Sequence, residues 1–261
     1  MGKFSYFDVQ ASWGVSKPHY GGLKATKELL RMCRLNEDYY VLDVGCGAGI
    51  TPCYISEKFG CRVVGVDISE KMLSLARERA RRKKIEKLEF KKADAQALPF
   101  VDGTFDLVIS ESVVSFVQDK ERAIKEYARV VKPGGYVGIN EAIWLTHSPP
   151  SELDEYVQRI SGAKLINAEQ WRRLFNDAGL EEFEVRVYRT SALKQYIDEI
   201  AYIGFRDYFK GWSRFLSMLF TQPDFRRYMK DIWPSSHLLK IFFKHIGYGL
   251  FADRKPALKN D

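Results

Sequence analysis

Cysteine is scarce in this 261-residue chain and stops early: Cys33, Cys46, Cys53 and Cys61 are the only four. None stands at Cys-x-x-Cys spacing and no histidine cluster joins them, which argues against a metal site or a disulfide framework and leaves four reduced thiols. Long apolar runs are missing too, since none approaches the roughly 20 residues a membrane helix needs. The opening Met1-Gly2-Lys3-Phe4-Ser5-Tyr6 lacks the apolar stretch of a signal peptide. It comes near an acylation signal, but Tyr6 stands where Ser or Thr is required. These absences read as a cytoplasmic protein. No internal repeat or low-complexity tract is seen.

What is present is an ordinary globular composition, 46% hydrophobic, with a formal charge of +7. Much of that charge crowds into residues 77–92, where Arg77, Arg79, Arg81, Arg82, Lys83, Lys84, Lys87, Lys91 and Lys92 stand close together. Such a run could serve an anionic partner, nucleic acid or membrane. Glu78, Glu86 and Glu89 dilute it, and the solvated end of a surface helix accounts for it better.

From residue 39 the pattern alternates strand and helix. Strands are expected at 40–44, 62–66, 88–91, 105–110 and 136–140. Helices are expected at 51–59 (closed by Gly60), 70–83 (capped by Ser69) and 120–131, the last ending before Pro133-Gly134-Gly135. Near-continuous apolar strands separated by helices argue for a parallel sheet covered on both faces. Ahead of it an amphipathic helix is expected over 23–34, with Leu23, Leu30 and the Lys27 stem on one face. Beyond it come a helix at 167–178 and strands at 183–188 and 247–254. The residues between those two strands, 191–246, read as wholly helical and dense in aromatic rings, from Tyr196 and Tyr202 to Phe242 and Phe243. A structureless connection of that length is improbable, so a helical insertion is expected.

The most telling segment is residues 41–49, Val-Leu-Asp-Val-Gly-Cys-Gly-Ala-Gly. A strand runs into glycines and then a helix, whose free N-terminal N–H groups suit an acidic ligand group. Asp67 follows Gly45 by 22 residues, at the end of the next strand, where an acid can hold a ribose diol. Dinucleotide loops want glycine at places one, three and six. Here Gly45, Gly47 and Gly49 take one, three and five, and Ile50 takes six. Asp43, just before the loop, would oppose a pyrophosphate and suits a ligand with an ammonium or sulfonium better.

These residues, with Val64-Gly-Val-Asp67-Ile-Ser, Asp94-Ala95, Ala97-Leu98-Pro99-Phe100, Phe105-Asp106-Leu107-Val108 and Arg129-Val-Val-Lys-Pro133-Gly134-Gly135, resemble the class I S-adenosylmethionine-dependent methyltransferases. The likeness spans about residues 38–142 and points to the small-molecule branch typified by ubiquinone/menaquinone-type enzymes. It implies a doubly wound, Rossmann-like α/β fold. The seven-stranded sheet would be mostly parallel, with its last strand antiparallel and the helical insertion between the last two strands. Residues 1–37 would form a helical flap, 38–190 and 247–256 the core, and 191–246 a lid. The cofactor would be S-adenosyl-L-methionine, leaving S-adenosyl-L-homocysteine, with no metal.

By the same resemblance Gly45, Gly47 and Gly49 would admit the methionine part, and Asp43 would orient that loop. Asp67 would hold the ribose, with Ile68 on one adenine face, and Asp94, beside Ala95, would accept from the adenine amino group. Ser110 and Glu111 would leave the fourth strand where methyl group and acceptor meet. Candidate bases, needed for a hydroxyl or carbon acid, are His19, Glu111, Glu141 and His147. The implied reaction is in-line displacement onto a small acceptor, apolar or aromatic if the insertion lines its pocket, or a cationic amine if its rings form a cage. Tyr6, Phe7, Trp13 and Tyr20 would close from the other side.

A nucleic-acid or protein methyltransferase and a non-catalytic cofactor-binding protein are the competing readings. Against the first, Ser110-Glu111-Ser112-Val113 stands where amino-directed nucleic-acid enzymes carry an acid/Asn-Pro-Pro-aromatic motif, and no cysteine nucleophile follows Cys61. Residues 214–220 and 238–246 mix apolar and basic side chains, a composition suited to peripheral membrane contact.

Overall fold

The computed structural model describes residues 19–257, without the side chains of Ala192, Tyr196, Ile203 and Asp207. Tyr6, Phe7, Trp13 and the Tyr196 ring therefore lie outside the described residues. Helix α1 (Gly22–Met32) precedes an alternating run: β1 (Tyr40–Val44), α2 (Ile50–Phe59), β2 (Arg62–Asp67), α3 (Glu70–Lys83), β3 (Leu88–Lys92), β4 (Phe105–Glu111), α4 (Lys120–Val130) and β5 (Val131–Trp144). Then follow α5 (Ser151–Ser161), β6 (Ile166–Asn167), α6 (Ala168–Asp177), β7 (Glu184–Arg189), four helices α7 (Ala192–Ile203), α8 (Phe205–Thr221), α9 (Pro223–Ile232) and α10 (Ser236–His245), and β8 (Ile246–Arg254).

The sheet order is β3-β2-β1-β4-β5-β8-β7, with short β6 on the end of β5. Strands β1 to β5 pair in parallel, and β8 runs antiparallel between β5 and β7. The period of two along each strand divides the core. Leu42, Val44, Val64, Val66 and Val108 face Ile124 and Tyr127 of α4 and Trp171 and Phe175 of α6. Val41, Val63, Leu107 and Ile109 face Leu29 and Leu30 of α1 and Ile55 of α2. Burial on both sides is why these strands carry continuous apolar runs. A third cluster joins Trp144 and Ile246 to α5, through Leu153, Tyr156 and Val157, and to Leu238, Ile241 and Phe242 of α10.

Three expectations need correction. On α1 the buried side chains are Ala25, Thr26, Leu29, Leu30 and Met32, while Leu23 is half-buried and Lys27 exposed. The helix packs against β5 and β8, partners that its own sequence does not name. Strand β5 begins at Val131, passes through Pro133-Gly134-Gly135 and reaches Trp144. Its register on β4 jumps between Phe105↔Val131 and Leu107↔Tyr136, so the Pro-Gly-Gly stretch is an irregularity inside the strand. Its far end is held by antiparallel pairing to β8, from Tyr136↔Arg254 to Trp144↔Ile246. Helix α5 was not foreseen, although Pro149-Pro150 precedes it, Glu152 and Asp154 occupy its first turn, and Leu153, Tyr156 and Val157 share a helical face.

Candidate active site

The glycine loop sits at the C-terminal edge of β1, where open α/β sheets bind ligands. Gly45 and Cys46 both donate their N–H to the Val66 carbonyl, at 2.8 and 2.9 Å. Gly45 has φ 74°, and a Cβ there would come within 2.1 Å of Val113 Cγ2. Gly49 has φ 75°, and a Cβ there would meet Ala76 Cβ of α3 at 2.8 Å. One glycine thus lets the segment after β4 lean on the loop, and the other lets α3 pack against it.

Asp67 clamps this loop. Its Oδ2 accepts from Gly47 N–H at 2.9 Å and its Oδ1 from Ser69 N–H at 2.8 Å. Burial pushes its pKa up, opposed by those backbone N–H groups. Beside it Ile68 is 66% exposed, an apolar side chain left open next to the glycine loop's acid. Asp94 Oδ1 accepts from the backbone and side-chain amides of Gln96, at 2.8 and 3.1 Å, and Ala95 is buried beneath.

Asp43 is buried, and its Oδ2 has no hydrogen-bond partner among the described residues. Burial, then the charges of Glu111 and Asp67, drive its pKa well above the usual carboxylate range. It lines a small pocket with His19, Gly45, Cys46, Thr51, Glu111 and Tyr202, about 30 Å³ in volume. That is room for a water or an ammonium, not for a nucleoside.

Glu111, the last residue of β4, gathers four elements. Its Oε1 accepts from Thr26 Oγ1 of α1 at 3.0 Å, and its Oε2 from Thr51 Oγ1 of α2 at 2.9 Å. Thr51 in turn meets the Tyr202 hydroxyl of α7 at 3.3 Å. Asn140 of β5 donates to Oε1 at 3.5 Å. His19 Nε2 lies 3.2 Å from Oε1, 2.9 Å from Thr26 Oγ1 and 3.0 Å from the Gly22 carbonyl, and its ring sits edge-on to Tyr202 at 5.0 Å. A carbonyl only accepts, so Nε2 carries a hydrogen and Nδ1 is the nitrogen left to take a proton.

Of the foreseen site residues, Asp43, Gly45, Glu111 and His19 meet at this pocket, and Gly47 of the glycine loop leads from it to Asp67 and Ile68 at the end of β2. Three go elsewhere. The Ser110 hydroxyl turns into the core, 3.4 Å from Tyr127 Oη, because alternate residues of β4 face opposite sides of the sheet. Glu141 is buried with its carboxylate fully engaged: Oε1 accepts from Val113 and Val114 N–H, both at 2.6 Å, and Oε2 from Ser115 Oγ at 2.7 Å. It anchors the turn after β4 instead of reaching the pocket. His147 is 78% exposed at its side chain and pairs with Glu169 at 3.6 Å, in a separate hollow lined by Trp144, Asn167 and Val187. The sequence reading missed Thr26, Thr51, Asn140 and Tyr202. Thr51 had a signal, standing in the first helical turn after the loop, and Tyr202 had none beyond being one ring among many.

The basic run resolves into ordinary surface pairing on and near α3, with Arg77 to Glu70, Arg82 to Glu78 and Lys83 to Glu57. Arg79 donates to the Ala48 carbonyl of the glycine loop at 2.9 Å. Most insertion rings pack on one another: Tyr208, Trp212, Phe215 and Phe225 form a chain with centroids 5.4 to 6.4 Å apart. Tyr202 is the insertion ring that lines the pocket among the described residues.

A doubly wound sheet with a glycine loop at the edge of β1, an acid ending β2 and a second acid ending β4 defines a class I, Rossmann-like methyltransferase fold. The family model of the methyltransferase domain Methyltransf_11 matches residues 42–139. An uncharacterized protein of Haemophilus influenzae is 30% identical over 178 residues, covering 67% of this chain and 71% of that one. The chain belongs to this methyltransferase domain family. Phosphoethanolamine N-methyltransferase 1 of Arabidopsis thaliana is 35% identical over 162 residues, 62% of this chain and 33% of that protein, so the chain spans about a third of that relative's length. The fold is shared with a Haemonchus contortus phosphoethanolamine N-methyltransferase 2 solved with S-adenosyl-L-methionine. The TM-score is 0.73 at 22% identity, covering 97% of this chain and 58% of that one.

Proposed function

We propose that this protein is an S-adenosylmethionine-dependent methyltransferase acting on a small organic molecule. The observation that carries the reading is the unpartnered, buried Asp43 oxygen facing a pocket framed by the glycine loop and Glu111. A buried carboxylate oxygen without a partner is costly, and a cationic ligand group relieves it. The residues fit the cofactor at its other end too. Asp67, already fixed by Gly47 and Ser69, would hold the ribose hydroxyls, exposed Ile68 would cover an adenine face, and Asp94 would accept from the adenine amino group. Bound there, S-adenosylmethionine supplies an activated methyl group on a sulfonium, which leaves the protein mainly alignment and exclusion of water.

Tyr202 and His19 narrow the pocket from the lid and flap sides. An acceptor with an apolar or aromatic part would rest against these rings. If it presents a proton, the Glu111 carboxylate in the pocket lining is the group placed to take it, with His19 Nε2 3.2 Å from its Oε1. A second reading, an amine acceptor, is favoured by Glu111, whose carboxylate beside the Tyr202 ring suits a protonated amine and can take the proton the amine must lose before its nitrogen attacks the methyl group. The Arabidopsis relative is named as an N-methyltransferase.

The test has two stages. Calorimetry with S-adenosylmethionine comes first: Asp67→Ala should weaken binding by about tenfold or more, the range for losing hydrogen bonds to a charged group. Unchanged affinity would sink the cofactor assignment. Incubation with cell extract and methyl-labelled cofactor, followed by mass spectrometry, then identifies the product. Binding without any labelled product would favour a non-catalytic role.

A further inference from the structure

Apolar exposure in this molecule is concentrated. Eight of the eleven exposed large apolar side chains among the described residues fall in 191–246. Four of them, Phe205, Phe209, Leu216 and Phe220, lie on α8 and are 47% to 80% exposed. Their spacing of four, seven and four residues places them on one stripe of a helix. The side of α8 that carries Tyr208 and Phe215 joins the ring chain inside the insertion, with half-buried Trp212 between it and the stripe, and α8 packs mainly on α7 and α9. Arg206, Lys210 and Arg214 recur every four residues and form a second stripe beside the apolar one. Arg226 of α9 donates to the Leu219 and Phe220 carbonyls at 3.0 and 3.1 Å, which fixes the end of the helix that carries the most exposed ring.

We infer that α8 is a membrane-surface helix, lying flat on an anionic lipid leaflet with its phenylalanine stripe in the headgroup–acyl boundary and its basic stripe against lipid phosphates and carboxylates. Segment 191–246 has nine Lys and Arg against five Asp and Glu, a net +4, so charge and apolar face favour the same surface. A second copy of this chain is a poorer occupant. An isologous contact through the same stripe would bring two rows of Arg206, Lys210 and Arg214 near each other. The helix is about 25 Å long and amphipathic. Among the described residues no helix is long and apolar enough to cross a membrane, so the contact is peripheral. This inference stands apart from the proposed chemistry, since none of these four side chains lines the pocket at Asp43.

The full chain is tested by co-sedimentation with vesicles of phosphatidylserine and phosphatidylcholine in equal parts, against phosphatidylcholine alone. The protein should pellet with the anionic vesicles, and salt should release it. Phe205→Ser/Phe220→Ser should lower the bound fraction by about tenfold or more, with an unchanged thermal midpoint. Arg206→Glu should weaken binding to anionic vesicles and leave the weak binding to neutral ones as it was. Three results would overturn the inference. The unmodified protein could stay in the supernatant, the double variant could pellet as well as it does, or sedimentation velocity could show a dimer that the double variant dissolves while vesicles capture neither.

Discussion

The sheet core and the insertion at 191–246 use the same apolar side chains and bury them to different degrees. Strands β1, β2 and β4 are nearly continuous in buried residues, and α4 and α6 add fully buried Tyr127, Trp171 and Phe175. In the insertion, Phe225 is the fully buried ring among the described residues, Tyr208 keeps a small exposure, and α10 buries no residue completely. The insertion's polar ties to the core include Tyr156 Oη to the Ile232 carbonyl at 2.8 Å, Arg159 to the Asp231 carbonyl at 3.0 Å, His237 to Glu152 at 2.8 Å, Leu145 N–H to the His245 carbonyl at 2.8 Å, and Tyr202 to Thr51. A core built from many overlapping contacts holds the cofactor loop in place. The insertion buries its rings less completely, and local opening costs least where buried contacts are fewest.

Truncating one ring in each region breaks or sharpens that contrast. Trp171→Ala should cost about 3–5 kcal/mol of global stability, since the ring is fully buried against Phe251 and Phe175. Phe225→Ala removes an equally buried ring that packs on Phe215. It should speed hydrogen exchange across α8 and α9 and leave the protection of β1, β4 and β5 in place. If Phe225→Ala accelerates exchange in the sheet as much as in the helices, the two regions unfold as one and the contrast fails.

The same contrast explains what the sequence makes legible. In the core β1, β2 and β4 announce themselves through apolar, β-branched runs, and α3 and α2 through a cap at Ser69 and a stop at Gly60. Those signals are local, so order and partners follow from rules of parallel sheets. Strand β5 was read too short because its last residues are held by β8, more than a hundred positions away. In the site, the glycine loop and Asp67 are spelled out by spacing. Glu111 stands at a strand end, where a functional side chain is expected. Ser110, Glu141 and His147 were placed by proximity in sequence, and the pleat and the extended β5 sent them elsewhere. Tyr202 could not be picked out, because only the packing of α7 on α1 distinguishes it from its neighbours.

Smaller effects test whether core and cover meet at Glu111. Glu111→Gln keeps the shape but sets an amide against Thr26 Oγ1, Thr51 Oγ1 and the Asn140 amide. Turnover should fall by about 100-fold or more if the carboxylate holds or deprotonates the acceptor. Tyr202→Phe removes a single hydroxyl and should cost about 3- to 10-fold. These are measured as kcat and KM once the labelled product is known. A loss at Tyr202→Phe equal to that at Glu111→Gln would move the decisive contact from the strand to the insertion.

The smallest effect concerns a residue of the core that the cover helps to bury. In the unfolded chain Asp43 ionises near its model value of 3.8, whereas in the folded protein burial raises its pKa well above that. Between those two values the folded state keeps a proton that the unfolded state has released. Stability therefore falls as pH rises through that window and levels off above the folded pKa. Asp43→Asn removes the ionisation, so the ligand-free variant should melt about 2–4 °C higher at neutral pH, the shift expected for about 1 kcal/mol. That advantage should shrink as the pH falls through the unfolded value of 3.8 and vanish below about pH 3, where the aspartate is protonated in both states. The same variant should bind S-adenosylmethionine more weakly, since the unpartnered oxygen is what a cationic group would meet. A stabilisation that is constant across pH would trace to packing instead. An unchanged affinity would mean that the buried acid of β1 serves the fold alone.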